Sequence, residues 1–197
     1  MVSDSDKSEE LDGRILADVL AEVASLSRED YVATYPAPVL LVEKEDGETE
    51  SPLAAFATLR LADPGEQSAA GLRLEDLIED LRAAGRSAQV LWVTKQTEKY
   101  ASIVTIGRAP KSDVRINLAS VSKFHCYFTH NPRNGTWHLS DANSANGTYL
   151  NGRKLEANIK HRLEDGSAIR MGLHLRARFF SPEGFYDYLT ALSRSLR

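Results

Sequence analysis

Arg108, Ser122 and Asn146 are the residues of this sequence best suited to hold an anion, and each stands at or beside a turn signal. Gly107-Arg108, Ser122-Lys123-Phe124-His125, Ser144-Ala145-Asn146-Gly147-Thr148 and Asn151-Gly152 follow one another in that order, separated by strand-like runs. Loops that join the strands of a β-sandwich gather at its ends, so these side chains can converge on one anionic group. A guanidinium supplies a planar fork of donors and a hydroxyl one more. That set suits a phosphate monoester with nearly two negative charges.

Taken singly, each signal has an ordinary reading. Asn146-Gly147 and Asn151-Gly152 are common tight-turn dipeptides, since both residue types tolerate positive φ. His125 on an alternating strand is most simply a structural histidine, and Cys126 a small buried strand residue. Ser122, His125 and Asp141 are the residue types of a nucleophilic triad. However, Ser122 and His125 are close neighbours at a loop-to-strand junction, and no Gly-x-Ser-x-Gly elbow or glycine-rich phosphate loop occurs. The conjunction of all four signals, with Trp137 between them and Leu163-Glu164-Asp165-Gly166 after them, favours binding over catalysis.

From Gln89 onward the elements that must position these residues read as short β runs. Val90 to Thr94, Ser102 to Ile106, His125 to Thr129, Thr136 to Leu139, Ser167 to Met171 and Leu173 to Phe180 are candidate strands between Asn/Gly/Pro/Asp clusters. Their spacing indicates a sandwich or barrel. Pro182 then stands at a helix N1 position, with Phe185, Tyr188, Leu189 and Leu192 at helical spacing behind it.

The preceding part has a different texture. Met1 to Glu10 is rich in Ser, Asp and Glu and reads as a disordered tail. Leu11, Ile15, Leu16, Val19, Leu20, Val23 and Leu26 follow a 3.6-residue period, and Ser27 with Asp30 resembles a capping box that opens a second helix to about Thr34. Val39 to Glu43 reads as a buried strand, and Lys44 to Pro52 as an acidic loop. Leu53 to Leu61 fits helix or strand equally well. Leu74, Leu77, Ile78 and Leu81 return to helical spacing before a C-cap glycine at Gly85. The chain divides on this reading into a tail (1–10), an acidic helical or α+β region (11–86), a β domain (87–181) and a C-terminal helix (182–197). The N-terminal helices could pack on the β domain, form a dimer interface or make a unit of their own.

Charge separates along the same line. Residues 1–100 carry 10 Lys+Arg and 21 Asp+Glu, whereas residues 101–197 carry 14 and 7, giving halves of −11 and +7. The basic half favours an acidic ligand: a phosphopeptide, a nucleic acid, or the chain's own acidic segment. A nucleic-acid role would need a recognition helix or a stacking platform, and Phe124, Tyr127, Phe128, Trp137 and Tyr149 fit sandwich positions better. One cysteine excludes an internal disulfide framework and a cysteine-rich zinc site. Apolar runs such as Pro36 to Val42 are too short to span a bilayer. The expectation is a soluble, cytoplasmic protein without metal or cofactor.

Between Val90 and Phe180 the chain resembles the forkhead-associated (FHA) family of phosphothreonine-binding domains. The resemblance rests on Gly107-Arg108, Ser122 to His125, Ser144 to Thr148, Asn151-Gly152, Leu163 to Gly166 and Ile169 to Gly172. It implies a mainly β fold, an eleven-stranded sandwich over residues ~88–180, flanked by the helix-containing N-terminal extension and the C-terminal helix. It also implies a non-catalytic signalling adaptor whose partner is a threonine-phosphorylated protein. Arg108 and Ser122 would contact the phosphate, Lys123 would add a cation, and Asn146 would bond the peptide backbone, with Thr148 counted in the same group. Gly107, His125, Gly147, Asn151 and Gly152 would support the loops. Asn131 to Thr136 and Asp141 to Leu150 would select the residues that follow the phosphothreonine. Ala145 replaces a threonine frequent in the family, and Ser167 replaces an aspartate whose part is in the turn. Thr49, in the acidic loop, is a candidate regulatory phosphosite whose modified form would dock on the basic half and drive self-association. The other reading is a phosphate-independent scaffold of the same fold that engages partners through its N-terminal helices.

Overall fold

Val39-Leu40-Leu41-Val42 is apolar at every position because the strand it forms is covered on both faces. Leu40 and Val42 enter the core between two sheets, whereas Val39 and Leu41 enter a second core beneath helices. The computed structural model describes residues 11, 13–23, 25–43, 88–96 and 102–195. The tail Met1 to Glu10, the acidic loop with Thr49, the ambiguous run Leu53 to Leu61 and the helical pattern ending at Gly85 lie outside the described residues.

In chain order the elements are β1 (Arg14–Ile15), α1 (Leu16–Val23), α2 (Arg28–Thr34), β2 (Val39–Glu43), β3 (Gln89–Trp92), β4 (Val104–Gly107), β5 (Val114–Arg115), β6 (Cys126–Asn131) and β7 (Thr136–Asp141). They continue with β8 (Thr148–Leu150), β9 (Arg153–Lys154), β10 (His161–Arg162), β11 (Ser167–Met171), β12 (Leu175–Phe180) and α3 (Pro182–Ser195). The described strands form a seven-stranded sheet, β1-β3-β2-β12-β11-β8-β9, and a five-stranded sheet, β10-β7-β6-β4-β5. Ile106, Phe128, Leu139, Ile169, Met171 and Phe179 fill the space between them. The mainly β two-sheet sandwich is therefore present, with helices on both sides of it in sequence. The strand inventory differs from the expected eleven within 88–180, because β1 and β2 of the N-terminal region complete the larger sheet. β2 sits between β3 and β12, so residues before 44 are part of the sandwich.

The first helix starts later than its periodicity predicts. Arg14 and Ile15 pair with Val90 and Gln89 as an edge strand, and the Leu16 N–H donates to the Ala88 carbonyl. Leu11 makes an isolated bridge to Ile116, the residue just past β5. Sheet pairing thus overrides the helical pattern over its first turn. From Leu16 the pattern holds: Leu16, Val19 and Val23 are buried. The second helix opens as expected, with the Ser27 hydroxyl accepting from the Asp30 N–H at 3.1 Å and donating to its carboxylate. α1, α2 and α3 together cover one half of the outer face of the larger sheet, where Tyr31, Phe185, Tyr188, Leu189 and Leu192 meet Val39, Leu41, Val90 and Phe180. Of the roles open to α1 and α2, this is packing on the sandwich. Among the described residues no helix is long and apolar enough to cross a membrane.

Candidate functional site

Four connections meet at one end of the sandwich: 108–113 after β4, 116–125 before β6, 142–147 between β7 and β8, and 172–174 between β11 and β12. Register makes them neighbours. Ile106 pairs with Cys126, Cys126 with Asp141, and Thr148 with Met171, which in turn pairs with Leu175.

Gly107 is dictated by close approach. A Cβ there would lie 2.3 Å from the Lys123 carbonyl oxygen and 3.0 Å from that of Ser122. Without it, the Arg108 N–H donates to the Ser122 carbonyl at 2.9 Å and the Ala109 N–H to that of Lys123 at 3.1 Å. The Arg108 side chain is held as well, Nε donating to the Val121 carbonyl at 3.2 Å. Its four terminal guanidinium N–H groups have no partner among the described residues, and the group is half-buried. Ser122 Oγ accepts the Ala145 N–H at 3.0 Å, which leaves its own hydrogen to donate. Arg108 and Ser122 are thus oriented by main chain before any ligand arrives. Lys123 is exposed on the same loop.

His125 joins two of the loops. It is fully buried; Nδ1 accepts the Ser122 N–H at 3.0 Å and Nε2 lies 3.2 Å from the Gly147 carbonyl. An acceptor at Nδ1 requires the proton on Nε2, so both nitrogens are used and the ring is neutral. Burial holds its pKa below the ordinary value, against the opposing pull of the Gly147 carbonyl and Asp141. The triad reading fails on this geometry, because the ring bonds the main-chain N–H of Ser122 and Ser122 Oγ is bonded to Ala145.

Asn146 donates from Nδ2 to the Ser120 carbonyl at 2.9 Å, fixing the plane of its amide. Gly147 has φ +81° and passes its N-terminal neighbours into β8. Thr148 corrects the sequence reading: it is completely buried, and its hydroxyl donates to Asp141 Oδ1 at 2.5 Å, so it faces inward and cannot touch a peptide. Burial alone would raise the pKa of Asp141, but bonds from the Ser144 and Thr148 hydroxyls and the Ser144 N–H hold it below the usual carboxylate range. Asn151 (φ 49°) and Gly152 (φ +81°) form a two-residue hairpin of type I′ at the other end of β8, with Asn151 Oδ1 accepting from Ala168. They brace β11 and lie away from Arg108 and Ser122.

Sequence reasoning missed a clamp on the Arg108 loop. Buried Asp113 accepts from the Thr105 N–H (2.9 Å) and hydroxyl (2.8 Å), from Lys95 Nζ (2.8 Å) and from the Gln96 N–H (2.9 Å). Burial opposes ionisation here, and these donors overcome it, leaving the carboxyl far below its ordinary range. The partners are distant in sequence, so no local signal announces them. The loop Asn131 to Thr136 is a second correction. It joins the far ends of β6 and β7, and five steps of about 3.3 Å along β6 separate it from Cys126 beside the site. Of the two expected selecting loops, only the one after Asp141 lies at this end. Ala145 contributes its N–H to Ser122, and Ser167 Oγ accepts the Glu164 N–H within the turn before β11.

The fold and these loops define a two-sheet β-sandwich whose one end presents oriented donors to an anion. Residues 104–172 match the family model of the FHA domain. The N-terminal FHA domain of Rad53p from S. cerevisiae, solved in complex with a phosphothreonine peptide, is similar at 30% identity over 44% of this chain and 73% of that one, with a TM-score of 0.38. The FHA domain of an Arabidopsis thaliana hypothetical protein is 24% identical over 47% of this chain and 73% of that one, TM-score 0.40. The Slr1951 protein of Synechocystis sp. is 18% identical over 72% of this chain and 95% of that one, TM-score 0.42. No curated protein matches the chain. The chain belongs to the FHA family through the segment that the family model matches, and that domain is a non-catalytic binding module.

Proposed function

We propose that this protein recognises threonine-phosphorylated proteins as a signalling adaptor, with Arg108 and Ser122 on the phosphate, Lys123 as an added cation and Asn146 on the peptide backbone. The observation that carries the reading is the state of Arg108. Its Nε is anchored to Val121 while its remaining donors meet no acceptor among the described residues, and the adjoining loop carries a serine hydroxyl with its hydrogen unused. An arginine anchored by one nitrogen and open at the other two presents a fork matched to two phosphate oxygens. His125 and Gly107 set the distance between the two donors, and Asp113 holds the loop that carries the arginine. The test is selection from a degenerate phosphothreonine peptide library, with phosphoserine and unphosphorylated libraries alongside. Enrichment of phosphothreonine peptides by wild type and not by Arg108→Ala supports the reading. Equal recovery from all three libraries contradicts it and leaves a phosphate-independent scaffold of the same fold.

A further inference from the structure

The half of the larger sheet's outer face that the helices leave uncovered carries a row of cations leading away from the candidate phosphate site. Register places Lys154 opposite Tyr149, Tyr149 opposite Arg170, and Arg170 opposite Arg176, across four adjacent strands. The row is continuous with the site contact by contact. A Cβ built on Gly147 would lie 2.7 Å from Lys154 Cε, 3.5 Å from its Nζ and 3.4 Å from Tyr149 Cε2. The Arg170 guanidinium stacks 3.5 Å from the Tyr149 ring centroid and donates to the Gly172 carbonyl at 2.7 Å, while the Gly172 N–H donates to Gly147. Gly147 directly follows Asn146.

Arg176, at the end of the row, also stands opposite Glu43 of β2, so the uncompensated cations of the row are the two before it. Lys154 and Arg170 have no carboxylate partner among the described residues, and the half of the chain that bears them has a net charge of +7. Arg170 is flattened on Tyr149, a geometry that presents the face and edge of the guanidinium outward at little further entropic cost.

We infer that the row is an extended subsite for acidic residues in the bound phosphoprotein, on the stretch of peptide that leaves the phosphate past Asn146. This rests on the phosphopeptide reading above. The occupant is an extended acidic flank, with Asp or Glu carboxylates set over Lys154 and Arg170. Each exposed ion pair supplies a factor of roughly 1.5 to 5, so two together give an acidic-flank preference on the order of fivefold at low salt. The preference shrinks as screening increases.

The experiment measures fluorescence anisotropy of phosphothreonine peptides with three acidic or three neutral residues, set either before or after the phosphothreonine, against wild type, Lys154→Gln/Arg170→Gln and Arg108→Ala. The readout is the ratio of acidic- to neutral-flank affinity within each protein, in which general losses of stability or phosphate binding cancel. One of the two acidic placements should bind wild type about fivefold tighter than its neutral counterpart, and the double variant should bring that ratio to about one while binding the neutral peptide as wild type does. A wild-type ratio of one, or a ratio unchanged in the double variant, overturns the subsite alone. Absence of Arg108-dependent binding to the neutral phosphopeptide overturns the phosphopeptide reading itself, and the subsite with it.

Discussion

Replacing His125 with alanine removes a fully buried side chain that ties the Ser122 loop to the Gly147 turn, and the cost can be worked from its bonds. The Ser122 N–H and the Gly147 carbonyl both lose their imidazole partner at a position with no exposed surface. The Ser122 N–H left without that partner costs about 1–3 kcal/mol, the Gly147 carbonyl keeps the Gly172 N–H and loses one bond of about 1 kcal/mol, and the void left by the ring adds to this. A loss of about 3–6 kcal/mol follows, a large share of the roughly 5–15 kcal/mol that holds a typical domain together. His125→Asn places an amide oxygen near the former Nδ1 and can still accept from Ser122, so it should recover about half of the loss, one of the two bonds. Urea unfolding followed by circular dichroism gives the stabilities. Anisotropy with a phosphothreonine peptide, at a temperature where each variant is fully folded, gives the affinities. Binding should weaken with stability in the order wild type, Asn, Ala, since the same bonds aim Ser122. An alanine variant within about 1 kcal/mol of wild type would refute the claim that His125 is the brace of the site.

Acidity should expose the same residue. Burial keeps the native imidazole below its ordinary 6.5, so the unfolded chain takes up a proton that the native state declines. Stability from neutral His125 is complete above pH 6.5 and is lost as pH falls from there toward the native value, by at most about 1.4 kcal/mol per unit. Asp113 and Asp141, held below 3.8, keep their contributions until more acidic conditions, and urea titrations of wild type and His125→Asn between pH 7 and about 4.5 isolate the histidine slope. Gly107→Ala and Gly152→Ala should differ in kind. The first drives a methyl into the Lys123 carbonyl and should cost about 3 kcal/mol or more together with peptide binding. The second meets open space and should cost only the roughly 1–2 kcal/mol of a left-handed alanine, with binding retained. Phe185→Ala, which empties a fully buried place between α3 and the sheet, should lower stability by about 3–5 kcal/mol in thermal or urea unfolding.

Local chemistry was legible in the sequence wherever one residue's type settles the conformation. Val39 to Glu43 shows its two-faced burial as an unbroken apolar run, Ser27 with Asp30 marks a helix start, and Asn151-Gly152 marks a two-residue hairpin. What escaped depends on residues far apart in the chain. The edge pairing of Arg14 and Ile15 with β3 erases a helical turn that the spacing supports. β5, β9 and β10 have two residues each, too few for any period to register. The inward direction of Thr148 follows from its pairing with Met171 and its bond to Asp141, neither visible in a Ser-x-Asn-Gly-Thr string. The distance of the Asn131 to Thr136 loop from Arg108 is likewise set by strand order and not by motif.

The central claim is that Arg108 reads the phosphate itself. A double-mutant cycle crosses wild type and Arg108→Ala with one peptide carrying phosphothreonine and the same peptide carrying threonine, all four affinities measured by calorimetry at fixed salt. A desolvated, forked arginine–phosphate pair is worth about 2–4 kcal/mol in such a cycle, so phosphorylation should improve wild-type affinity roughly 30- to 1,000-fold more than it improves that of the variant. An equal benefit from phosphorylation in both proteins, with Arg108→Ala folded, would contradict the claim and return Arg108 to a structural part in the loop.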